Sequence, residues 1–403
     1  MKLTAFLLFS LLFHVGFGQH CIDGRYSETP LFDSSEIVVI DEIQYGFANH
    51  YLTGEPVNLM MDVYMPSTAI DPMTARPFIL SIHGGGFIGG DKVELAYQSF
   101  ELARRGFVVA NINYRVGWGC DNVLCINCFG SEMQKAIYSA VQDARAALRF
   151  AYNLADTYNI DTDWMFVSGE SAGSITGMLA TFWDQEEANA QVSAGFSLTA
   201  GGLDESGNAY PTGYNIRGII NQCGAIPELA DMNDQSEIPM ISFHDSNDCV
   251  VPYNTGSLIA CFCSGFLSYK GSNTIQSYRL NNGMCSELHT APQILPNHCT
   301  YPDLNLVKLS SCFLKRTMCG FCMNFSDDDI TSTPICDELF DTESSAAGCT
   351  YQSATNYNSN ATTDDGSCIF TSESTCPSDL NADEIIGVAD LLILLGNFGN
   401  ICN

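Results

Sequence analysis

Short apolar runs alternate with helix-periodic segments along most of the chain. The runs "PFILSIH" (77–83), "FVVANINY" (107–114), "WMFVSG" (164–169), "GIINQCG" (218–224) and "PMISFHD" (239–245) are rich in Ile, Val and Phe at successive positions. Such runs predict strands buried on both faces, as in the interior of a mainly parallel sheet. "EIVVI" (36–40) and "VNLMMDVYM" (57–65) predict two earlier strands. In "EMQKAIYSAVQDARAALRFAYNLADTY" (132–158) apolar residues recur three and four apart, which predicts a helix, and Ala172 to Trp183 predicts another. Together they predict an α/β fold, a doubly wound and mainly parallel sheet within one domain, residues 20–325.

The pattern changes at both ends. Residues 1–19, "MKLTAFLLFSLLFHVGFGQ", join Lys2 to an apolar stretch and then small residues, the plan of a signal peptide. Secretion, or display at the cell surface, is the expectation. No later stretch has the apolar length of a membrane span. Residues 326–346 are polar and acidic and read as a linker. Residues 347–370 have few aliphatic side chains and a cysteine near each end, Cys349 and Cys368. A piece so poor in core residues must be held by a bridge or a ligand. Residues 371–403 set spaced oxygen donors before an apolar helix, between Cys376 and Cys402.

Eighteen cysteines fit an oxidising compartment and disulfides. Zinc is the alternative, but the C-x-x-C pair Cys319 and Cys322 has no matching partner pair. The balance of 16 basic against 46 acidic residues, a formal charge of −30, argues against nucleic acid and anionic membranes, which need clustered Lys and Arg. It suits solubility in salty surroundings or calcium binding.

Within this frame one serine stands out. "WMFVSGESAGSITGM" (164–178) sets Ser171 between Gly169 and Gly173, after a strand-like run and before a helix-like one. A sharp strand-to-helix turn would lift its hydroxyl off the sheet edge and aim helix N-terminal amides at developing negative charge. A G-x-S-x-G match alone is common by chance. However, "SIHGGGFIGGD" lies upstream, with His83 and three successive glycines directly after an apolar strand. A Gly-rich loop there lets backbone amides turn inward, as an oxyanion hole requires.

The runs "MDVYMP", "IHGGGFIGGDK", "ELARRGFVVANINYRVGW", "VQDARAALRFAYNLADTYNIDTDWMFVSGESAG" and "HDSNDCVVPY" are collinear. From about Asn58 to His298 the chain resembles the α/β-hydrolase family, in particular its HGGG-bearing carboxylesterases and the bacterial feruloyl and acetyl esterase group. The resemblance implies the α/β-hydrolase fold, with Ser171 as nucleophile and an oxyanion hole of Gly85, Gly86 and Ala172. It makes His83 structural, bonded to nearby backbone.

A serine hydroxyl needs a base, and the base an orienting acid; in this fold they follow in the order Ser, Asp or Glu, His. Asp245 and Asp248 compete for the acid. The family pattern, an acid three residues before Val-Pro, selects Asp248, and Asp245 reads as a turn former after a strand. His289 and His298 compete for the base. His289 lies inside the strand-like "SELHTAPQI"; His298 lies in a loop beyond it, where a base over the sheet edge belongs. The family's Gly-x-Gly-His ending is replaced by Pro296 and Asn297 before His298. Cys249 follows Asp248 and Cys299 follows His298, so a Cys249–Cys299 bridge is expected to tie the two loops. Pairing of either with Cys223 or Cys285 stays open. Cys120, Cys125 and Cys128 fall in an insertion expected near the mouth of the site.

In the tail, Asp379, Asn381, Asp383 and Asp390 occupy the first, third, fifth and twelfth positions of a calcium loop, with the Ile385 carbonyl as the seventh. The segment resembles half of a dockerin-type repeat, with Glu384 in place of the usual glycine. The appendages, one disulfide-bounded and one a calcium loop, point to attachment at a surface or matrix. The reading is a secreted serine carboxylesterase that needs no cofactor for catalysis, acting on esters, polysaccharide-linked ones included. A peptidase or polyester hydrolase of the same fold is the rival within enzymes. A non-catalytic surface protein on a hydrolase scaffold is the rival outside them.

Overall fold

The computed structural model describes residues 20–21, 24–120, 128–263, 266–333, 336, 346–348, 356 and 361–364. Nine strands build the main sheet: β1 (Ile37–Asn49), β2 (Pro56–Pro66), β3 (Arg76–Ile82), β4 (Val108–Ile112), β5 (Ile160–Glu170), β6 (Ile216–Gln222), β7 (Met240–Asp245), β8 (Ser286–Ala291) and β9 (Phe325–Asp327). Their order is β1-β2-β4-β3-β5-β6-β7-β8-β9. β1 and β2 pair antiparallel, as do β2 and β4. Every pairing from β4 and β3 through to β9 is parallel. This is the α/β-hydrolase fold.

Helices cover both faces because the central strands are apolar on both. Along β3, Phe78, Leu80 and Ile82 join a core with helix α2 (Gly130–Asn153), while Ile79 faces a second core that holds Leu102 of α1 (Ala96–Ala103). Helix α3 (Ala172–Phe182) packs in the first core through Ile175 and Leu179. Helix α5 (Asp303–Met318) packs in the second through Val307 and Phe313. Between them in sequence, α4 (Ser272–Asn281) follows the loop beyond β7. Burying apolar side chains on both faces supplies the main driving force for this layered arrangement.

Two elements run differently from the sequence pattern. β1 extends well beyond "EIVVI" and leaves Val38, Val39 and Ile40 exposed along the sheet edge. The predicted helix over 132–158 breaks after Asn153 into a single turn, Ala155–Tyr158, closed by a left-handed Asn159.

Contacts divide the chain into Met1–Cys336 and Asp337–Asn403. The first unit reaches further than residue 325, because Phe325–Asp327 adds a ninth strand and Cys336 is bonded to Cys312 of α5. The polar stretch read as linker therefore begins inside the domain. Three residues are enough for an edge strand, too few for any periodicity to mark it. In the second unit Ala346–Gly348 pairs in parallel with Ala361–Asp364. Cys349, Cys368, Cys376, Cys402 and the five expected calcium ligands lie outside the described residues. Among the described residues, no helix is long and apolar enough to cross a membrane.

Candidate active site

β5 ends at Glu170 and α3 starts at Ala172, so Ser171 makes the whole turn, at φ 54° and ψ −117°. A positive φ is uncommon outside glycine and has to be held by its surroundings. The Ser171 amide donates to the Gln222 carbonyl at the end of β6 (2.8 Å), and its carbonyl accepts from the Ile175 amide (3.0 Å). The flanking glycines are steric requirements. A Cβ on Gly173 would run into the Ile82 carbonyl oxygen, and one on Gly169 into the backbone of Gly173.

Directly after β3, Gly85 and Gly86 take φ values of 103° and 62°. The loop closes on the elbow, since a Cβ on Gly84 would lie 3.3 Å from the Ser171 Cβ. Ala172 opens α3, so its amide has no partner within the helix. Among the described residues, neither Gly85 nor Gly86 donates its amide to a backbone carbonyl. The His83 Nδ1 donates to the Gly84 carbonyl (2.8 Å), and the ring stacks on Tyr114 (4.5 Å between centroids). Burial holds the His83 imidazole below its ordinary range, as befits a framework residue.

Three side chains from three separate loops meet at the sheet edge. His298 Nε2 lies 2.8 Å from Ser171 Oγ, and His298 Nδ1 lies 2.6 Å from Asp248 Oδ2. The other Asp248 oxygen, Oδ1, accepts the amides of Val250 (2.8 Å) and Val251 (3.0 Å). Burial alone would raise the Asp248 carboxyl; hydrogen bonds from His244 and His298 outweigh it and hold the group below its ordinary value. Pro296 and Asn297 serve where glycines were expected, because Asn297 forms a parallel backbone bridge with Asp248 and so brings His298 to the acid.

The competing residues lie elsewhere. The Asp245 carboxylate accepts the Thr300 amide (2.8 Å) and the Thr300 hydroxyl, bracing the loop that carries His298. His289 is buried in β8 and stacks on Phe243 (5.2 Å between centroids). Neither of its ring nitrogens has a hydrogen-bond partner among the described residues.

The expected Cys249–Cys299 bridge does not form. Cys299 is bonded to Cys223, and Cys249 to Cys261. After Asp248 the chain doubles back on itself, with the Cys261 amide donating to the Cys249 carbonyl (3.0 Å), so Cys249 is satisfied within its own loop. Cys223 and Cys299 both take left-handed φ values, 47° and 52°, turning each chain toward the other just past the end of β6. Cys120 pairs with Cys128, and Cys125 lies outside the described residues. Cys319 and Cys322 go to different partners, Cys21 and Cys285, and so do not form a joint site.

Among the described residues one set of donors lies close enough to hold a metal, Cys223, His298 and Cys299. The two sulfurs are joined in a disulfide, which removes the thiolates a metal would need. Beside Ser171 a cavity of about 20 Å³ is walled by apolar side chains, among them Phe87, Met133, Ile175, Val251 and Ile259. Larger cavities of about 410 and 470 Å³ are lined by none of Ser171, Asp248 and His298.

Sequence reasoning missed His244, which touches Asp248. Its Nε2 lies 3.3 Å from Asp248 Oδ2. The available signal was its place four residues before Asp248, at the end of a buried strand.

Residues 61–248 match the family model described as BD-FAE, a little under half of the chain. The cAMP-regulated D2 protein of Dictyostelium discoideum is 29% identical over 164 residues, 39% of this chain and 29% of that protein. Fumonisin B1 esterase of Sphingopyxis macrogoltabida is 30% identical over 172 residues, 41% of this chain and 31% of that protein. The chain thus spans under a third of the length of either relative. The propionate-bound structure of esterase Est2 from Thermogutta terrifontis superposes with a TM-score of 0.46 at 18% identity, covering 70% of this chain and 95% of that one. Strand order and the serine elbow make this an α/β-hydrolase-fold protein, and over residues 61–248 its sequence is similar to the BD-FAE family.

Proposed function

We propose that the chain is a secreted serine carboxylic-ester hydrolase working through Ser171, His298 and Asp248. The observation that carries this reading is the unbroken hydrogen-bonded line from Ser171 Oγ through both His298 ring nitrogens to Asp248 Oδ2. His298 Nε2 takes the proton as Ser171 Oγ attacks the ester carbonyl, and Asp248 fixes the tautomer and steadies the imidazolium. The oxyanion is held by the amides of Gly85, Gly86 and Ala172, and collapse expels the alcohol with a proton from His298. Water then attacks the acyl-enzyme with the same base. Six disulfides among the described residues support an oxidising compartment.

The small apolar cavity beside Ser171 favours short acyl groups. At about 20 Å³ it has room for little more than one water-sized group. An acetyl methyl fits within it, and a longer acyl chain would have to extend out of it. Esters of graded acyl length test this, with acetylated and feruloylated glycans and a peptide substrate in the same panel. The expected result is fastest turnover on acetyl esters, with Ser171→Ala lower by about a thousandfold or more. Equal turnover by wild type and Ser171→Ala would end the reading, and a preference for the peptide would favour a peptidase.

A further inference from the structure

His244 sits at the head of a buried polar chain that runs underneath the elbow. The Ser174 hydroxyl, one turn into α3 from Ser171, donates to Asn221 Oδ1 (2.6 Å). Asn221 Nδ2 donates to Ser272 Oγ (3.0 Å), which leaves the Ser272 hydroxyl hydrogen for His244 Nδ1 at 2.7 Å. His244 Nε2 faces the Val251 carbonyl (3.1 Å) and Asp248 Oδ2 (3.3 Å). Both are acceptors, so Nε2 must carry a hydrogen. Ser174, Asn221, Ser272 and His244 are all essentially fully buried. An unmatched donor or acceptor among them would carry its full desolvation cost, and each one finds a partner.

We propose that His244 is a positioning residue for the proposed triad: its Nε2–H, bonded to the Val251 carbonyl, stands 3.3 Å from the Asp248 Oδ2 that accepts the His298 Nδ1–H, and the Ser174–Asn221–Ser272 chain fixes the His244 tautomer that makes this possible. The inference rests on the esterase reading. Asp248 needs more than ionisation to act; its carboxylate must hold one rotation so that Oδ2 meets His298. The amides of Val250 and Val251 fix Oδ1 from one side, and the His244 Nε2–H, anchored on the Val251 carbonyl, stands against Oδ2 on the other. Without His244 the carboxylate can pivot about its Oδ1 contacts, and misplacement of about 1 Å can cost about a hundredfold in rate. The chain also begins in the helix that Ser171 caps and ends on the acid. Nucleophile and acid are therefore referenced to one rigid interior network, although they lie on different loops.

The test uses the full chain and a short-chain chromogenic ester. His244→Leu removes the Nε2 donor, His244→Gln restores an amide donor near the Nε2 position, and Ser272→Ala releases the tautomer. His244→Leu should lower kcat by about tenfold to a hundredfold with KM changed by less than about threefold, and His244→Gln should recover most of the loss. Ser272→Ala should lower kcat by about threefold or more. In an Asp248→Asn background, His244→Leu should change kcat by less than about twofold, because the effect acts through the acid. A merely structural role predicts the opposite: equal losses for Leu and Gln, and an undiminished loss in the Asp248→Asn background. A folded His244→Leu enzyme with wild-type kcat overturns the inference. If that variant does not fold, wild-type kcat in Ser272→Ala overturns it instead. Failure of the esterase reading looks different, since wild type would then be inactive or Ser171→Ala fully active.

Discussion

The disulfide between Cys223 and Cys299 joins the residue after Gln222 to the residue after His298. Gln222 receives the Ser171 amide, and His298 faces the Ser171 hydroxyl. One covalent link therefore spans from the strand end that holds the Ser171 backbone to the loop that carries His298. The Asp248 loop is closed separately by Cys249–Cys261, and reaches the His298 loop through the backbone bridge between Asp248 and Asn297.

Replacing both Cys223 and Cys299 by Ser should lower the melting temperature and the turnover number together. The link closes 76 residues, for which chain entropy suggests a stabilisation on the order of 4 kcal/mol. Replacing Cys249 and Cys261 should cost less turnover, because that loop contributes through Asp248 and not through the base. Non-reducing peptide mapping checks the connectivity directly, and a Cys249–Cys299 peptide would contradict it.

The two histidines should separate cleanly. His298→Ala should lose about a thousandfold or more in kcat, while His289→Ala should keep kcat within about threefold and lose about 1–3 kcal/mol of stability with its stacked ring. Asp248→Asn should lose about a thousandfold; Asp245→Asn should lose far less, through a loosened Thr300 contact. Steady-state kinetics beside thermal melts distinguish the two patterns.

Gly173→Ala should disrupt folding. The new methyl group would meet the carbonyl oxygens of Ile82 and His83, which are backbone atoms that cannot rotate aside. Overpacking of this kind costs about 1–3 kcal/mol or more. Gly195→Ala is the control, because a Cβ there meets nothing within 4 Å. Soluble yield and melting temperature should fall for the first and hold for the second.

Stability should carry a signature of Asp248 at low pH. Its carboxyl is held below the ordinary value of 3.8, so its contribution to stability is present above that value and is lost as pH falls through the lowered one. The gap in melting temperature between wild type and Asp248→Asn should therefore be widest near about pH 6 and shrink toward about pH 3. A gap that widened on acidification would reverse the assigned direction of the shift.

Local pattern determined most of the frame. Strands apolar on both faces require helices on both sides, and that physical demand is legible in "PFILSIH" or "WMFVSG" without any partner in view. Glycines two residues either side of Ser171 are equally legible, since no other residue clears the neighbouring backbone. The ranking of His298 over His289 followed the same local logic, a loop beyond a strand against a position within it. Contacts between distant segments were decided only by the tertiary structure. Cys223 and Cys299 lie 76 residues apart, and their pairing depends on two left-handed turns that no composition marks. His244 reads as one more buried residue of a strand until β6, α3 and α4 bring Asn221, Ser174 and Ser272 beneath it. Periodicity records which face a residue presents; it carries no record of which partner waits there, because that partner arrives from another part of the chain.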